Sequence, residues 1–516
     1  MLNSLLLLIF SFGLQETSRV NSPEHLVNQK DRRSDSGVPL SLKKAVLLAM
    51  ENNVDIEIAR FTPLLREEEI GTYEGVFDTN IQSSLAYTDL NHISFGMFGD
   101  SLQESTTVKL DTTLSKKIPF GATFSLSYGI SDVDTFHQVT SFPSSQGDHW
   151  TQSLALAATL PLLKNYGTKY NYSTVILSRN SRDESIYDFE NAITSTIYSI
   201  HEAYWNLVYA IKDQGVKEQS LAVAEKLREE TARKLQAGVV IKLELTQAEA
   251  GVATRKEYII KAKAAVFNAV DRLKLIVNPA LLKEKEALLP SDSPAGVSKG
   301  FSEENAVDAA FALALQNRPE YLKIMVQLNS QETQLYVSER GLLPSLELTA
   351  SATLSNPEQE SLSDAFNTIA DNQTINATLD FNYALGQSAS RAAYNSALYT
   401  KRSLLLEQKR TENNILVEVR EAVRQILTQE KVIEATKKAL ELAEEQFQAE
   451  LNRKRRQVST TFNVLEMQTK VSEAQAREIQ ARIDYQKALI SLKVATGTLL
   501  LDMGIKLDEM LIPRTK

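Results

Sequence analysis

Five histidines, His25, His92, His137, His149 and His201, are the residues of this chain best suited to general acid–base work or metal ligation. No two of them stand at metal-ligand spacing, and His201 sits in the middle of a helical pattern. The absence of cysteine excludes thiolate metal sites, cysteine nucleophiles, disulfides and a lipid-modified N-terminal cysteine together. Carboxylate pairs such as Glu444-Glu445 could share a proton, but they lie on a long polar helical face where solvation is the ordinary role. The residues needed for a catalytic constellation are therefore not clustered, and the chain reads as a non-enzyme with no cofactor and no metal. Its 56 basic and 65 acidic residues leave a formal charge of −9, the opposite of what phosphate neutralisation requires, so nucleic acid is not an expected partner.

With no site chemistry to position, the long elements themselves become the informative feature. The sequence aligns with itself twice. Ala45, Leu48, Ala49 and Asn52 recur as Ala310, Leu313, Ala314 and Asn317, and Gly75 recurs as Gly341. From Thr159 onward an ungapped second register pairs Thr159 with Thr378, Gly167 with Gly386, Glu202 with Glu421, Leu221 with Leu440 and Leu273 with Leu492. The two shifts, 341 − 75 = 266 and 378 − 159 = 219, differ by 47, so the first copy carries about that many extra residues between Gly75 and Thr159.

Each copy runs helix, strand, helix. Ser41 can cap a helix with Leu42, Val46, Leu47 and Met50 on one face, and a second helical stretch, punctuated near Pro63, continues towards Gly75. Strict alternation follows in Phe124–Ile130 and Leu154–Leu162, and again in Leu346–Ala352 and Ile375–Tyr383, which places one face of each strand in an apolar medium. Then Ile193, Ile197, Ile200, Tyr204, Leu207 and Ile211 form a coiled-coil seam, repeated by Leu416, Val419, Val423 and Ile426. Ser173–Gln236 holds no proline, and its length as one helix would be about 96 Å. The returning helix, about Leu243–Val277, is shorter, and one from about Asp55 to Glu74 could continue the same rod.

These features divide the chain into a signal peptide at 1–13, built on the apolar run Leu5–Phe12, and a flexible segment at 14–40. A first repeat at 41–278 includes strands at about 79–162. A linker at 279–300, a second repeat at 301–500 with strands at about 345–383, and a tail at 501–516 complete it. The fold class is α+β: a long antiparallel coiled coil plus β-strands, duplicated internally; if the chain crosses a membrane, the strands must do it.

The opening Ser41-Leu-Lys-Lys-Ala-Val-Leu-Leu-Ala-Met-Glu-Asn-Asn, the Gly75-Val-Phe-Asp before the strands, the Leu160-Pro-Leu-Leu before a long helix, and Ala237-Gly-Val-Val with Leu245-Thr-Gln-Ala-Glu at the return turn resemble the TolC-like outer membrane efflux proteins. The resemblance spans about residues 40–500 and includes the duplication. It implies a homotrimer in the cell outer membrane, each subunit giving four strands to a closed twelve-stranded barrel and helical rods to a periplasmic tunnel. Such a channel is the exit duct of a tripartite efflux or type I secretion system, passively conducting substrates from a periplasmic adaptor and an inner-membrane pump. The alternative is a periplasmic coiled-coil adaptor or scaffold without a pore.

The resemblance also implies site residues. The two helical turns would dock the adaptor through Gly238, Val239, Val240 and Ile241 at the first, and Gln457, Val458 and Ser459 at the second. An acidic pore constriction would follow at Glu244, Asn463 and Glu466. The chain departs from the family pattern in two places. Gln457, after the basic run Arg453-Lys-Arg-Arg456, replaces the glycine that would match Gly238. The excess residues add two alternating segments, Val108–Leu114 and Ala122–Ile130, with Ser94–Thr107 and Asp132–Gly147 as expected exposed loops. An extracellular hairpin is the preferred reading of this insertion, and additional barrel strands are the alternative.

Overall fold

The computed structural model describes residues 38–96, 99–139, 145–278, 280, 288–294, 303–356, 359–507 and 510. The expected signal peptide and most of the flexible N-terminal segment lie outside them.

Helices α1 (Leu42–Asn52) and α2 (Val54–Glu74) follow strand β1 (Val38–Leu40). The Ser41 hydroxyl accepts from Lys44 N at 3.3 Å, as its cap position requires. The face that α1 buries is Ala45, Val46 and Ala49, whereas Leu47 is 52% exposed. Pro63 does not interrupt α2. The helix runs through it with the ring buried, tolerating one missing backbone bond because packing holds the flanking turns.

One antiparallel meander carries β2 (Thr79–Gly96), β3 (Gly99–Lys117), β4 (Thr123–Val139), β5 (Ser145–Pro161), β7 (Ser345–Ser355) and β8 (Asn372–Asn382), hydrogen-bonded in that order. The insertion does not form a hairpin apart from the sheet. β3 and β4 are hydrogen-bonded between β2 and β5, and Ser94–Thr107 and Asp132–Gly147 are largely strand among the described residues. The turn between β3 and β4 also lies at the helical end of the sheet. Gly167 N donates to Phe120 O at 3.0 Å, and a Cβ on Gly121 (φ 108°) would meet Asn171 Nδ2 at 2.7 Å and Asn165 O at 2.8 Å.

β5 passes through the short α3 (Thr168–Asn171) into α4 (Ser173–Gln236), an uninterrupted helix of 64 residues. α5 (Lys242–Val277) returns alongside it, and β6 (Leu288–Pro290) pairs in parallel with β1. The second copy repeats the plan with α6 (Glu303–Asn317), α7 (Pro319–Arg340), β7, the short α8 (Leu362–Asn367), β8, α9 (Ser388–Arg455) and α10 (Thr461–Ala495), and ends in α11 (Leu499–Met503). Each long helix is accompanied by two shorter ones placed end to end. Asn53 Nδ2, between α1 and α2, donates to Ile276 O at 2.6 Å near the end of α5, and Arg318 Nη1, before α7, reaches Ala495 O of α10 at 3.4 Å.

The expected seam is the core. Ile193, Ile197, Ile200, Tyr204 and Leu207 are wholly buried, with Leu40, Val46, Leu273, Val277 and Ile483 in the same cluster. In the second copy Val419, Val423 and Ile426 are buried as expected, but Ile415 takes the position expected for Leu416. The Tyr204 hydroxyl knits the mid-chain junction. It lies 2.8 Å from Asp292 Oδ2 and 3.1 Å from Leu40 O, accepts from Asp292 N, and is pushed up to about 12, chiefly by burial.

Candidate functional site

The turn between α4 and α5 ends α4 with Gly238 in the left-handed conformation (φ 73°). There Gly238 N donates to Leu235 O and Val239 N to Lys234 O. The turn between α9 and α10 copies this hydrogen bonding: Gln457 N donates to Lys454 O and Val458 N to Arg453 O. Gln457 adopts φ 63° there, so a side chain is held in a conformation that glycine takes without cost. Val239, Ile241, Leu243, Val458 and Phe462 are all more than half exposed, giving the tips an apolar surface. Val240 is half-buried, and the Ser459 hydroxyl donates to Glu450, which Arg453 also contacts at 3.2 Å.

The three acidic-constriction candidates do not share one environment. Glu244 lies in the contact between the two tips. Its Oε2 accepts from Thr461 Oγ1 at 2.9 Å and from Lys454 Nζ at 3.3 Å, while Lys454 also bonds Thr461. Burial holds the Lys454 ammonium below the ordinary lysine range, with Glu244 opposing that shift. Asn463 is exposed, and its backbone N–H donates to the capping Thr460 hydroxyl at 3.3 Å. Glu466 is also exposed, 3.2 Å from Lys470 one turn on, and lines a groove with Gln247, Thr254, Phe462 and Glu473.

Arg255 was not singled out in the sequence, yet it joins three helices near this end. Its Nε donates to Ser220 Oγ and Gln468 Oε1, Nη1 to Gly251 O, and Nη2 to Leu465 O and Thr469 Oγ1, all within 3.2 Å. It is 5% exposed, and burial lowers its pKa. The available signal was a mismatch between the copies: Arg255 aligns at the shift of 219 with the core residue Ala474. Lys454 had no comparable signal, because its partner Glu244 is 210 residues away.

At the other end, the meander carries opposite chemistry on its two faces. Cross-strand register puts Ile81, Leu85 and Tyr87 of β2 beside Leu114, Leu110 and Val108 of β3, and these beside Leu126 and Ile130 of β4. Leu156 and Leu154 of β5 follow, then Leu348, Ala350, Ala352 and Leu354 of β7, then Leu379, Ala377 and Ile375 of β8. Many are openly exposed, Leu85 at 75% and Ile375 at 82%. The opposite face is hydroxylic and amidic: Ser84 and Gln82, Thr113 and Ser115, Ser125 and Ser127, Thr349 and Ser351, Thr378 and Asn376. The apolar band from Leu346 to Leu354 rises about 21 Å at a strand tilt of about 40°, close to the height of a membrane barrel's apolar belt. Among the described residues no helix is long and apolar enough to cross a membrane, and none of the His, Asp and Glu side chains form a group that could hold a metal ion.

Comparison with known proteins agrees with this geometry. Residues 311–498 match the sequence profile of the family described as outer membrane efflux protein. No curated protein sequence matches the chain. Among solved structures, the Campylobacter jejuni CmeC outer membrane channel is similar at a TM-score of 0.65 and 17% identity, covering 96% of this chain and 98% of that one. The Vibrio cholerae outer membrane protein VceC is similar at 0.63 and 13% identity, over 88% and 96% of the two chains. The open state of the Neisseria gonorrhoeae MtrE outer membrane channel is similar at 0.61 and 16% identity, over 95% and 98%. The second repeat thus matches the outer membrane efflux protein family, and the chain shares the fold of TolC-like outer membrane channels along nearly its whole length.

Proposed function

We propose that three copies of this chain form an outer-membrane exit duct that passively conducts solutes delivered by a periplasmic adaptor and an inner-membrane pump. The observation that carries this reading is the meander with one apolar and one polar face, seated on helical rods of about 100 Å. A sheet in hydrocarbon must have no unpaired edge, yet among the described residues β2 and β8 each lack a neighbour on one side. Closure therefore requires further copies. A soluble adaptor or scaffold would have no use for a belt of exposed Ile81, Leu85, Leu156, Ile375 and Leu379.

On this reading the helical tips face the periplasm. Gly238, Val239, Ile241 and Val458 would meet the adaptor, with Val240 and Ser459 supporting them from behind. Glu466 would supply the acidic ring of the pore, where three symmetry copies would favour cations, while Glu244 is already matched by Lys454. Cross-linking and mass measurement of the detergent-extracted protein test the assembly. A trimer that resists carbonate is expected, and a monomer that leaves membranes with salt or carbonate would sink the channel. Val239→Asp with Ile241→Asp should abolish export at unchanged trimer yield; full export would remove the tips from docking.

A further inference from the structure

Among the described residues the meander holds six strands. Resting on the trimeric channel reading above, we propose that the assembled barrel has eighteen strands and a lumen wide enough to pass cargo of the cross-section of a folded helical hairpin, leaving size selection to the helical tunnel.

The first argument is directional. β2 runs away from the helices and β8 runs back towards them, so the free edge of β8 in one copy meets β2 of the next antiparallel. The up-and-down order continues through every copy, and three times six strands close with no parallel junction.

The second argument is that β3 and β4 must be wall. Their apolar residues Leu110, Leu114, Leu126 and Ile130 continue the belt at the same level as Leu85 and Ile81 on one side and Leu154 and Leu156 on the other. Hydroxyls tie these strands on both faces, Ser83 Oγ of β2 to Thr112 Oγ1 of β3 at 3.0 Å on the belt face and Thr113 Oγ1 of β3 to Ser127 Oγ of β4 at 3.0 Å on the polar face. The turn joining them packs at the helical end against Gly167 and Asn171. A hairpin standing in water outside the cell would have no reason to carry the belt or to place its turn there.

The third argument is size. With strands about 4.8 Å apart and tilted by about 40°, eighteen strands place opposite backbones about 36 Å apart, against about 24 Å for twelve. Many inward residues are small, Ser125, Ser127, Gly129, Thr113, Ser115, Thr349 and Ser351, beside the longer Lys109, Asp111, Glu347 and Asp380. Allowing about 5 Å of side chain on each wall leaves roughly 26 Å, more than the roughly 20 Å of two packed helices. The same allowance in a twelve-stranded barrel leaves roughly 14 Å.

The chain has no cysteine, so introduced thiols report cleanly. The experiment uses the full-length protein in membranes, with trimer yield checked for every variant. Ser83→Cys with Thr112→Cys should form an intrachain disulfide in the trimer. Ser127→Cys should react with a water-soluble maleimide and with a maleimide carrying a polyethylene glycol coil about 20 Å across, while Leu114→Cys and Leu126→Cys stay unreactive until the protein is denatured. If Leu114→Cys and Leu126→Cys react as readily as Ser127→Cys, or the Ser83–Thr112 disulfide does not form in a normal trimer, β3 and β4 are outside the wall and the proposal fails. If Ser127→Cys takes the small reagent but excludes the polymer, the wide lumen is refuted although the channel stands. A protein that is neither trimeric nor membrane-bound overturns the underlying reading as well.

Discussion

His201 and Glu190 lie on the same helix, α4, and resist acid in opposite directions. His201 is 4% exposed, and neither of its ring nitrogens has a hydrogen-bond partner. Burial, helped by the nearby Lys493 charge, lowers its pKa from 6.5 to about 4. Glu190 is raised from 4.5 to about 7, first by burial and then by the Glu320 carboxylate.

The signs follow from which state binds the proton. Between pH 6.5 and about 4 the unfolded chain protonates His201 and the folded chain does not, so acidification costs stability. Between pH 7 and about 4.5 the folded chain protonates Glu190 and the unfolded chain does not, so acidification adds stability. At 1.36 kcal/mol per pKa unit, moving from about pH 8 to about pH 5 costs roughly 2 kcal/mol per chain through His201 and returns roughly 2.5 kcal/mol through Glu190. The two nearly cancel in the native protein.

Each substitution should therefore unmask the other group. His201→Leu should become more stable, by roughly 2 kcal/mol per chain relative to wild type, on going from about pH 8 to about pH 5. Glu190→Gln should become less stable by a similar amount over the same window. At about pH 8 the His201→Leu protein should be no less stable than wild type, because the substitution removes an unpaired ring from the core. The assay is urea unfolding of the detergent-solubilised protein, followed by helical circular dichroism at fixed protein concentration. All other titrating groups cancel in the difference between variants. An acid dependence of His201→Leu that parallels wild type would refute the argument, since burial would then not be holding the imidazole neutral.

Gln457→Gly should stabilise the protein by about 0.5–1 kcal/mol, because the left-handed conformation at φ 63° is relieved by more than glycine's extra unfolded-state entropy costs; a lower urea midpoint would show that the Gln457 side chain contributes a contact of its own. Tyr204→Phe should cost about 1–2 kcal/mol in thermal unfolding, since the Asp292 N–H and carboxylate lose their partner at the mid-chain junction; no change would mean that the hydroxyl is not a tie. Leu126→Arg puts a charge into the apolar belt and should destabilise the inserted barrel by about 2–4 kcal/mol, while Ser127→Arg, on the polar face, should assemble; equal yields of the two would deny the belt its contact with lipid.

The parts of this fold that could be read from the chain are those whose signal is local and repeated. The seam Ile193 to Leu207 needs only its own spacing, and the second copy supplies an independent reading through Val419, Val423 and Ile426. The 64-residue length of α4 follows from the absence of proline between Ser173 and Gln236. The helix expected from about Asp55 to Glu74 runs through Pro63, because packing along α2 offsets one lost hydrogen bond. Leu47 reads as core because hydropathy does not show that the small Ala45 and Ala49 let α1 approach its neighbours.

The insertion was harder for a different reason. The upper parts of β2 to β5 leave the belt and carry residues such as Thr88, Asp89, Asn91, Thr106 and Asp134 on both faces, so polar wall and exposed loop have the same composition there. What separates the two readings is the end of the sheet at which residues 118–122 turn, and that is set by contacts of Phe120 and Gly121 with Asn165, Gly167 and Asn171, more than 40 residues onward. The tip poses the same problem at longer range. Glu244 is a pore candidate by the family resemblance, and nothing between residues 237 and 250 shows that the second hairpin brings Lys454 and Thr461 to its carboxylate. Periodicity specifies which face of an element is buried, and pairing across the two repeats decides which acids are matched by a cation from the other repeat; on the proposed channel reading Glu466, paired with the exposed Lys470 of its own helix, is the candidate left for the pore.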